Sequence, residues 1–461
     1  MIRNQNKVIL INFASTIILQ GLTFFSAPIF SRQLGTENYG IVAVYAAWVS
    51  LISVVFTLQA GGTIGIARAY FTSEEQPAYQ SSVLGLALAL YVCFSTLTVL
   101  LLKLASGFFP VNPPMLAFAL LQACGMYCVD FTNSKHIFEF NADKNVKLSV
   151  LVSFLTIGVS FVLIPRFPPE INYWGRIAGL SISYGVIGAV LCVQVFRRGK
   201  TFFNYRYWAF TLPVSTPTVF HLLAHNVLGQ CDKFMLQIMV SNTAAGIYSL
   251  ANSFSSIVNV LWATLNKSWV PFYYDYTARH EQEQIRTHTK NYVELFTVIT
   301  MGFILMEKEV FHIFASEEFW AGVDYVPLFA VSHYFTFLYS FPVNYEFFHK
   351  RTKTIAIGTG LAAVCNIVLN DALIRYKGGI GAVIATMVSH IFLFAFHYAN
   401  ARKIFPDEFP FTLPELLCGL PFVLTAYILY LMPVPWFLRW SVSGALGIFI
   451  CARMIKRRAF F

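Results

Sequence analysis

Apolar stretches of about twenty residues follow one another along nearly the whole 461-residue chain, separated by short polar turns. A helix needs about 20 mostly apolar residues to cross a bilayer, because each residue rises ~1.5 Å through a ~30 Å hydrocarbon core. Candidate spans fall near 9–31, 40–70, 81–105, 115–139, 146–165, 175–196, 208–230, 243–272, 288–314, 322–342, 354–373, 379–401, 411–431 and 435–455. The expected fold is therefore an all-α polytopic membrane protein with about 14 transmembrane helices. The stretch at 40–70 is too long for one upright crossing and is expected to tilt or to project from the membrane.

Charge supports this class. Charged residues make up 12% of the chain, against about 25% in a soluble protein. A water-facing surface for 461 residues cannot be built from so few. The first apolar stretch, Val8 to Phe30, exceeds a signal-peptide core and lacks a small-x-small cleavage site, so it reads as a retained span. Eight cysteines are scattered, mostly inside spans, with no CxxC or Cys/His spacing; they read as small packing residues, and no metal is expected.

The net charge of +10 is not distributed as a nucleic-acid surface would be. Of 32 Lys and Arg residues, 22 fall in one set of alternate loops and 9 in the other, with Lys267 inside a span. This is the positive-inside pattern, and it places both termini in the cytoplasm after an even number of crossings. No loop is long enough to form a domain, and no GxxxxGK[ST] phosphate loop is present. No catalytic constellation stands out, so an enzyme is not expected.

Two short segments recur. Gln33-Leu-Gly-Thr-Glu-Asn-Tyr-Gly40-Ile-Val follows the first span, and Met239-Val-Ser-Asn-Thr-Ala-Ala-Gly246-Ile-Tyr follows the seventh, an offset of 206. The sixth and twelfth spans open around Gly179 and Gly381, an offset of 202. Nearly equal offsets at corresponding places imply two pseudo-symmetric six-helix bundles, 1–206 and 207–403, plus two additional helices in 404–461. The interface of such halves is the expected substrate site.

Polar residues line up on four of these spans. Successive helical residues turn by about 100°, which places Ser50, Ser53, Thr57, Gly61 and Arg68 on one face of the second span. Ser249, Asn252, Ser255, Ser256, Asn259, Asn266 and Lys267 share a face in the eighth. Asn12, Thr16, Gln20 and Thr23 do so in the first, and Thr211, Ser215, Thr218, His221, His225 and Asp232 in the seventh. Such faces are costly against lipid, so they are expected to line a hydrated central cavity, although Ser, Thr and Asn also serve as interhelical glue. Arg68 and Lys267 end their stripes on the cytoplasmic side, where they would attract an anionic headgroup or else snorkel to the interface. Asp130, in the fourth span, is read as a lone buried carboxylate that could carry a coupling ion. Glu294, Asn366, Asn370, Asp371, His333 and His390 are weaker candidates.

The run Asn12-Phe-Ala-Ser … Pro28-Ile-Phe-Ser-Arg-Gln-Leu-Gly35-Thr-Glu-Asn-Tyr-Gly40 resembles the opening of the polysaccharide-transport flippases of the multidrug/oligosaccharidyl-lipid/polysaccharide exporter superfamily. Asp232-Lys233 followed by Ala245-Gly246-Ile-Tyr248-Ser resembles the opening of that family's second half. The resemblance implies two six-helix bundles around a cavity. It also implies transfer of a polyprenyl-pyrophosphate-linked oligosaccharide across a bacterial cytoplasmic membrane by alternating access. The implied partners are that lipid-linked oligosaccharide, membrane lipids and a glycan polymerase, with no nucleic acid. No cofactor is implied, and coupling to H+ or Na+ stays open. The alternatives are a drug/cation antiporter or a peptidoglycan-precursor flippase of the same superfamily, then a membrane glycan polymerase or acyltransferase. The first span carries no acidic residue for a cation, no large outer loop suits a polymerase, and His221/His225 is a weak acyltransferase candidate.

Overall fold

The apolar runs become helices. The protein is described by a computed structural model, which covers the backbone of residues 2–104, 112–139, 141–404, 406 and 408–457. It covers their side chains except at 2–20, 22, 23, 142, 221 and 454–457. Among the described residues no strand occurs. The α-helices are α1 (Ile2–Phe56), α2 (Ile64–Tyr70), α3 (Gln76–Leu104), α4 (Pro113–Phe138) and α5 (Ala142–Leu163). They continue with α6 (Tyr173–Gly199), α7 (Tyr205–Met239), α8 (Asn242–Ala278), α9 (Gln282–Phe314) and α10 (Tyr325–Phe348). The last are α11 (Thr352–Lys377), α12 (Gly379–Ile404), α13 (Leu413–Leu417), α14 (Leu420–Leu431) and α15 (Trp436–Arg457). Nine stretches among the described residues are long and apolar enough to cross a membrane. Helices α7, α8, α9 and α15 are long enough but more polar: α8 carries its Asn/Ser stripe, and α9 carries Glu294, Glu307, Lys308 and Glu309. The chain is an all-helical polytopic membrane protein.

Helix α1 is two helices joined at Gly35, whose φ of 71° and ψ of 175° are not helical. Only glycine takes that conformation without a steric cost. The corresponding joint, 206 residues later, is Ser241, which caps α8 by accepting a hydrogen bond from the Ala244 N–H at 3.1 Å.

The long second span neither tilts nor projects as one helix; it breaks. Leu58 and Gln59 adopt left-handed φ values of 45° and 46°, and a 3-10 turn at Ala60–Thr63 leads into α2. A left-handed non-glycine residue costs roughly 1–2 kcal/mol, so the surroundings must hold it. They do so with polar groups. The Gly61 N–H donates to the Tyr127 hydroxyl at 3.1 Å, Thr63 and Tyr79 hydroxyls meet at 2.7 Å, and Tyr79 meets Thr211 at 3.1 Å. The break ends the single polar face expected from Ser50 to Arg68: Gly61 packs against Phe131.

The chain forms two compact units, one of residues 1–34 and 41–230 and the other of 35–40 and 231–461. In the first, α6 is the central helix, packed on α3, α4 and α5. Tyr45, Gln122 and Ser181 join α1, α4 and α6 through buried hydrogen bonds of 2.8 and 3.0 Å. In the second, α10 packs on α8 and α12, and its core holds Trp269, Tyr273, Tyr292, Phe296, Phe337 and Phe341. Helix α15 lies antiparallel on α9, held by Arg439 to Glu309, Ser443 to the Gly302 carbonyl, and Arg453 to Glu294.

Candidate functional site

Helix α8 presents a line of carboxamides. Asn252, Asn259 and Asn266 are spaced by seven residues, a spacing that drifts by only about 20° per step around a helix. All three are half-buried, as is Ser256 beside them, and Lys267 is exposed one residue beyond the last. Asn266 accepts from the Asn344 side chain at 3.4 Å. The stripe read from the sequence divides here. Ser249 and Ser255 turn into the interior of the second unit, where Ser255 meets His333 at 3.4 Å. They serve packing, whereas the asparagines are half-buried.

In the first unit, Ser50 donates to the Asn226 side-chain oxygen at 2.8 Å, joining α1 to α7. Ser53 and Thr57 are buried, and the Thr57 hydroxyl returns to the Ser53 carbonyl at 2.7 Å. Both serve the helix end next to the break rather than an open surface. Arg68 is exposed in the last turn of α2, and His225 is exposed on α7. Asn12, Thr16 and His221 lie outside the residues whose side chains are described.

The carboxylates are placed differently from the sequence expectation. Asp130 is exposed on α4, so it is not the buried acid expected there. The buried acids among the described residues are Asp232, Glu307 and Glu346. Asp232, on the face of α7 read from the sequence, lies inside the second unit at 2% exposure. Its carboxylate accepts from the Tyr248 hydroxyl, the Asn370 amide and, at 2.8 Å, the Thr386 hydroxyl. Asn370 also donates to Asn366 at 3.0 Å, and Cys231 donates to Asn366 at 2.8 Å. Four helices, α7, α8, α11 and α12, thus converge on one carboxylate. The Asn370 side-chain oxygen and the Asn366 side-chain nitrogen are buried there without partners.

A model of the family described as "Polysaccharide biosynthesis protein" matches residues 6–277. A "Probable low-salt glycan biosynthesis flippase Agl15" of Haloferax volcanii is 20% identical over 395 residues, covering 82% of this chain and 79% of its own length. An uncharacterized membrane protein of Haemophilus influenzae is 22% identical over 386 residues, covering 80% of this chain and 87% of its own. Among solved structures, the lipid II flippase MurJ in an inward closed conformation superposes with a TM-score of 0.71 at 15% identity, over 97% of this chain and 99% of that one. An inward-facing multidrug resistance MATE family transporter of the MOP superfamily gives 0.59 at 14% identity, over 86% and 98%. These two likenesses give the fold. With the family model spanning more than half its length, the chain belongs to the polysaccharide biosynthesis protein family.

Proposed function

We propose that the protein is a flippase that moves a polyprenyl-pyrophosphate-linked oligosaccharide, an O-antigen, capsule or related unit, across a bacterial cytoplasmic membrane by alternating access. The observation that carries this reading is the asparagine line of α8 ending at Lys267. Carboxamides both donate and accept, which suits sugar hydroxyls, and an exposed ammonium attracts a pyrophosphate. Arg68, exposed at the end of α2, offers a second cation. The two bundles of 1–206 and 207–403 alternate, the helices of 404–461 support the second, both termini face the cytoplasm, and a glycan polymerase takes the product. The test is reconstitution of the full chain with a fluorescent polyprenyl-pyrophosphate oligosaccharide. Protein-dependent loss of quenching by an external lectin supports the reading, and no dependence on protein rejects it.

Coupling to a monovalent cation or proton is a second element of the reading, favoured by the Asp232 cluster. Asp130 is exposed on α4, whereas Asp232 is enclosed by two hydroxyls and one amide from three helices. Transport that falls at least tenfold on replacing sodium by choline, or on collapsing a pH gradient, and that loses this response in Asp232→Asn, supports it.

A further inference from the structure

We propose that the loop between α6 and α7, with the helix ends that flank it, is a docking site for the headgroup of an anionic phospholipid. The site stands apart from the flippase reading: its occupant is a lipid of the surrounding bilayer and not the lipid that is moved.

Residues 197–206 read Arg-Arg-Gly-Lys-Thr-Phe-Phe-Asn-Tyr-Arg, with four cations, three aromatic rings and no carboxylate. All seven of those side chains are exposed, Phe202 by 55%, Phe203 by 62% and Tyr205 by 77%. Carboxylates from other elements meet two of the cations: Glu75 lies 2.8 Å from Arg206, and Glu139 lies 3.9 Å from Arg198. Arg197 and Lys200 pair with no carboxylate among the described residues. Two of the four charges are therefore uncompensated, and they bracket the turn that carries the two phenylalanines.

The turn is held in place on α3. Lys200 ends α6 with a left-handed φ of 51°, a conformation unfavourable for a residue with a Cβ, and its N–H donates to the Phe196 carbonyl at 2.8 Å. A Cβ on Gly199 would collide with the Pro77 carbonyl oxygen, and one on Gly85 with that of Phe202, so the loop backbone lies directly on α3. The Thr201 N–H donates to the Ser81 hydroxyl at 3.3 Å. The Phe202 ring stacks on Phe196, and Phe203 meets Trp208 edge to face, with the Trp208 indole donating to the Ser82 carbonyl at 2.9 Å. The rings are thus fixed from behind while their outer faces stay uncovered, and little conformational entropy is left to lose when a ligand arrives.

Depth in the membrane selects the occupant. The apolar span of α6 runs to Gly199, so residues 200–205 stand where hydrocarbon gives way to headgroups. Aromatic side chains are favoured at that boundary, and cations there attract anionic lipid. Phe202 and Phe203 suit the upper part of acyl chains, and Arg197 and Lys200 suit a phosphate above them. An aromatic belt that only set the height of the helix would take zwitterionic and anionic lipids alike. The two uncompensated cations beside the rings are what make the site selective for negative charge.

The test is photolabelling of the full chain in phosphatidylcholine vesicles, with phosphatidylglycerol or phosphatidylcholine carrying a diazirine at the same place near the headgroup. Label is read by mass spectrometry in the peptide spanning 197–208. At least threefold more label from phosphatidylglycerol is expected in the wild-type chain. Equal label from the two lipids overturns the site, and that arm needs no variant to fold. Arg197→Gln/Lys200→Gln should lower phosphatidylglycerol label to the phosphatidylcholine level, with phosphatidylcholine label and melting temperature as in the wild type. Arg197→Lys/Lys200→Arg should restore it. An undiminished preference in the glutamine variant overturns the proposal. Unlabelled phosphatidylglycerol should compete with the probe. If polyprenyl pyrophosphate competes at lower concentration, the loop serves the transported lipid and the phospholipid site is refuted. If the chain moves no oligosaccharide, the flippase reading fails while the labelling still decides this site.

Discussion

Gly40 and Gly246 hold their two helices at backbone contact, and the contact is reciprocal. A Cβ on Gly40 would lie 1.9 Å from the Asn242 carbonyl oxygen, and a Cβ on Gly246 would lie 2.0 Å from that of Thr36. Thr36 and Asn242 are separated by the same 206 residues as the two glycines. The repeated segment therefore packs against its own copy, as a self-complementary contact must.

Because backbone and not a flexible side chain blocks each Cβ, either Gly40→Ala or Gly246→Ala forces the helices apart. Overpacking costs about 1–3 kcal/mol, and the two sites share one contact. The double variant should therefore lose clearly less than the sum of the singles. Thermal unfolding in detergent of the singles and the double measures this.

The C-terminal helix is fastened to α9 by ions. Arg439 is nearly buried, pairs with Glu309 and donates to the Leu305 carbonyl, while the Trp440 indole donates to the same glutamate at 3.1 Å. Removing one partner of a buried pair costs about 3–5 kcal/mol. Arg439→Leu should release α15, seen as proteolysis near 432–436 at concentrations that leave the wild-type chain intact. The paired change Arg439→Leu/Glu309→Leu should recover much of that loss.

The Tyr127 hydroxyl is one of the groups that hold the break after α1. Tyr127→Phe leaves the buried Gly61 N–H without its acceptor, at a cost of about 1–3 kcal/mol. Tyr91→Phe, which removes a hydroxyl bonded to the Leu120 carbonyl, leaves that break untouched. Hydrogen exchange at Gly61–Thr63 should rise in the first variant and stay unchanged in the second.

Outside the membrane, Glu75 carries a pH dependence of known sign. The Thr72 N–H, followed by the Thr72 hydroxyl and the Arg206 guanidinium 2.8 Å away, holds its carboxyl below the usual carboxylate range. A group with a lowered folded pKa stabilises the fold above its unfolded pKa and loses that contribution as pH falls through the folded one. The stability difference between wild type and Glu75→Gln should therefore be present at neutral pH and vanish in acid. Urea titrations across pH 2–7 test it.

Much of this architecture is legible in the sequence, because a bilayer makes span length and polarity stringent. The 206-residue offset of the repeat also separates Gly35, where α1 is interrupted, from Ser241, which caps α8. The interruption at Leu58 was harder to see. Gly61-Gly62 marked it, but a polar periodicity drawn through the glycines read as one face. Helical periodicity gives a direction around one helix and not the neighbour in that direction. Hence Asp232, on the expected face of α7, meets Tyr248, Asn370 and Thr386. Glu346 was missed for another reason: Pro342 and the polar Asn344 resemble a span end, yet α10 runs on to Phe348.

We propose that this chain carries a lipid-linked glycan across the membrane and that Arg68 and Lys267 each attract its pyrophosphate. The most direct measurement is the lipid-linked oligosaccharide retained inside cells depleted of the protein, with wild-type or Arg68→Ala/Lys267→Ala protein restored. At least tenfold accumulation is expected on depletion, cleared by wild type and not by the double variant at equal protein level. No accumulation on depletion, or full clearance by the double variant, would contradict it.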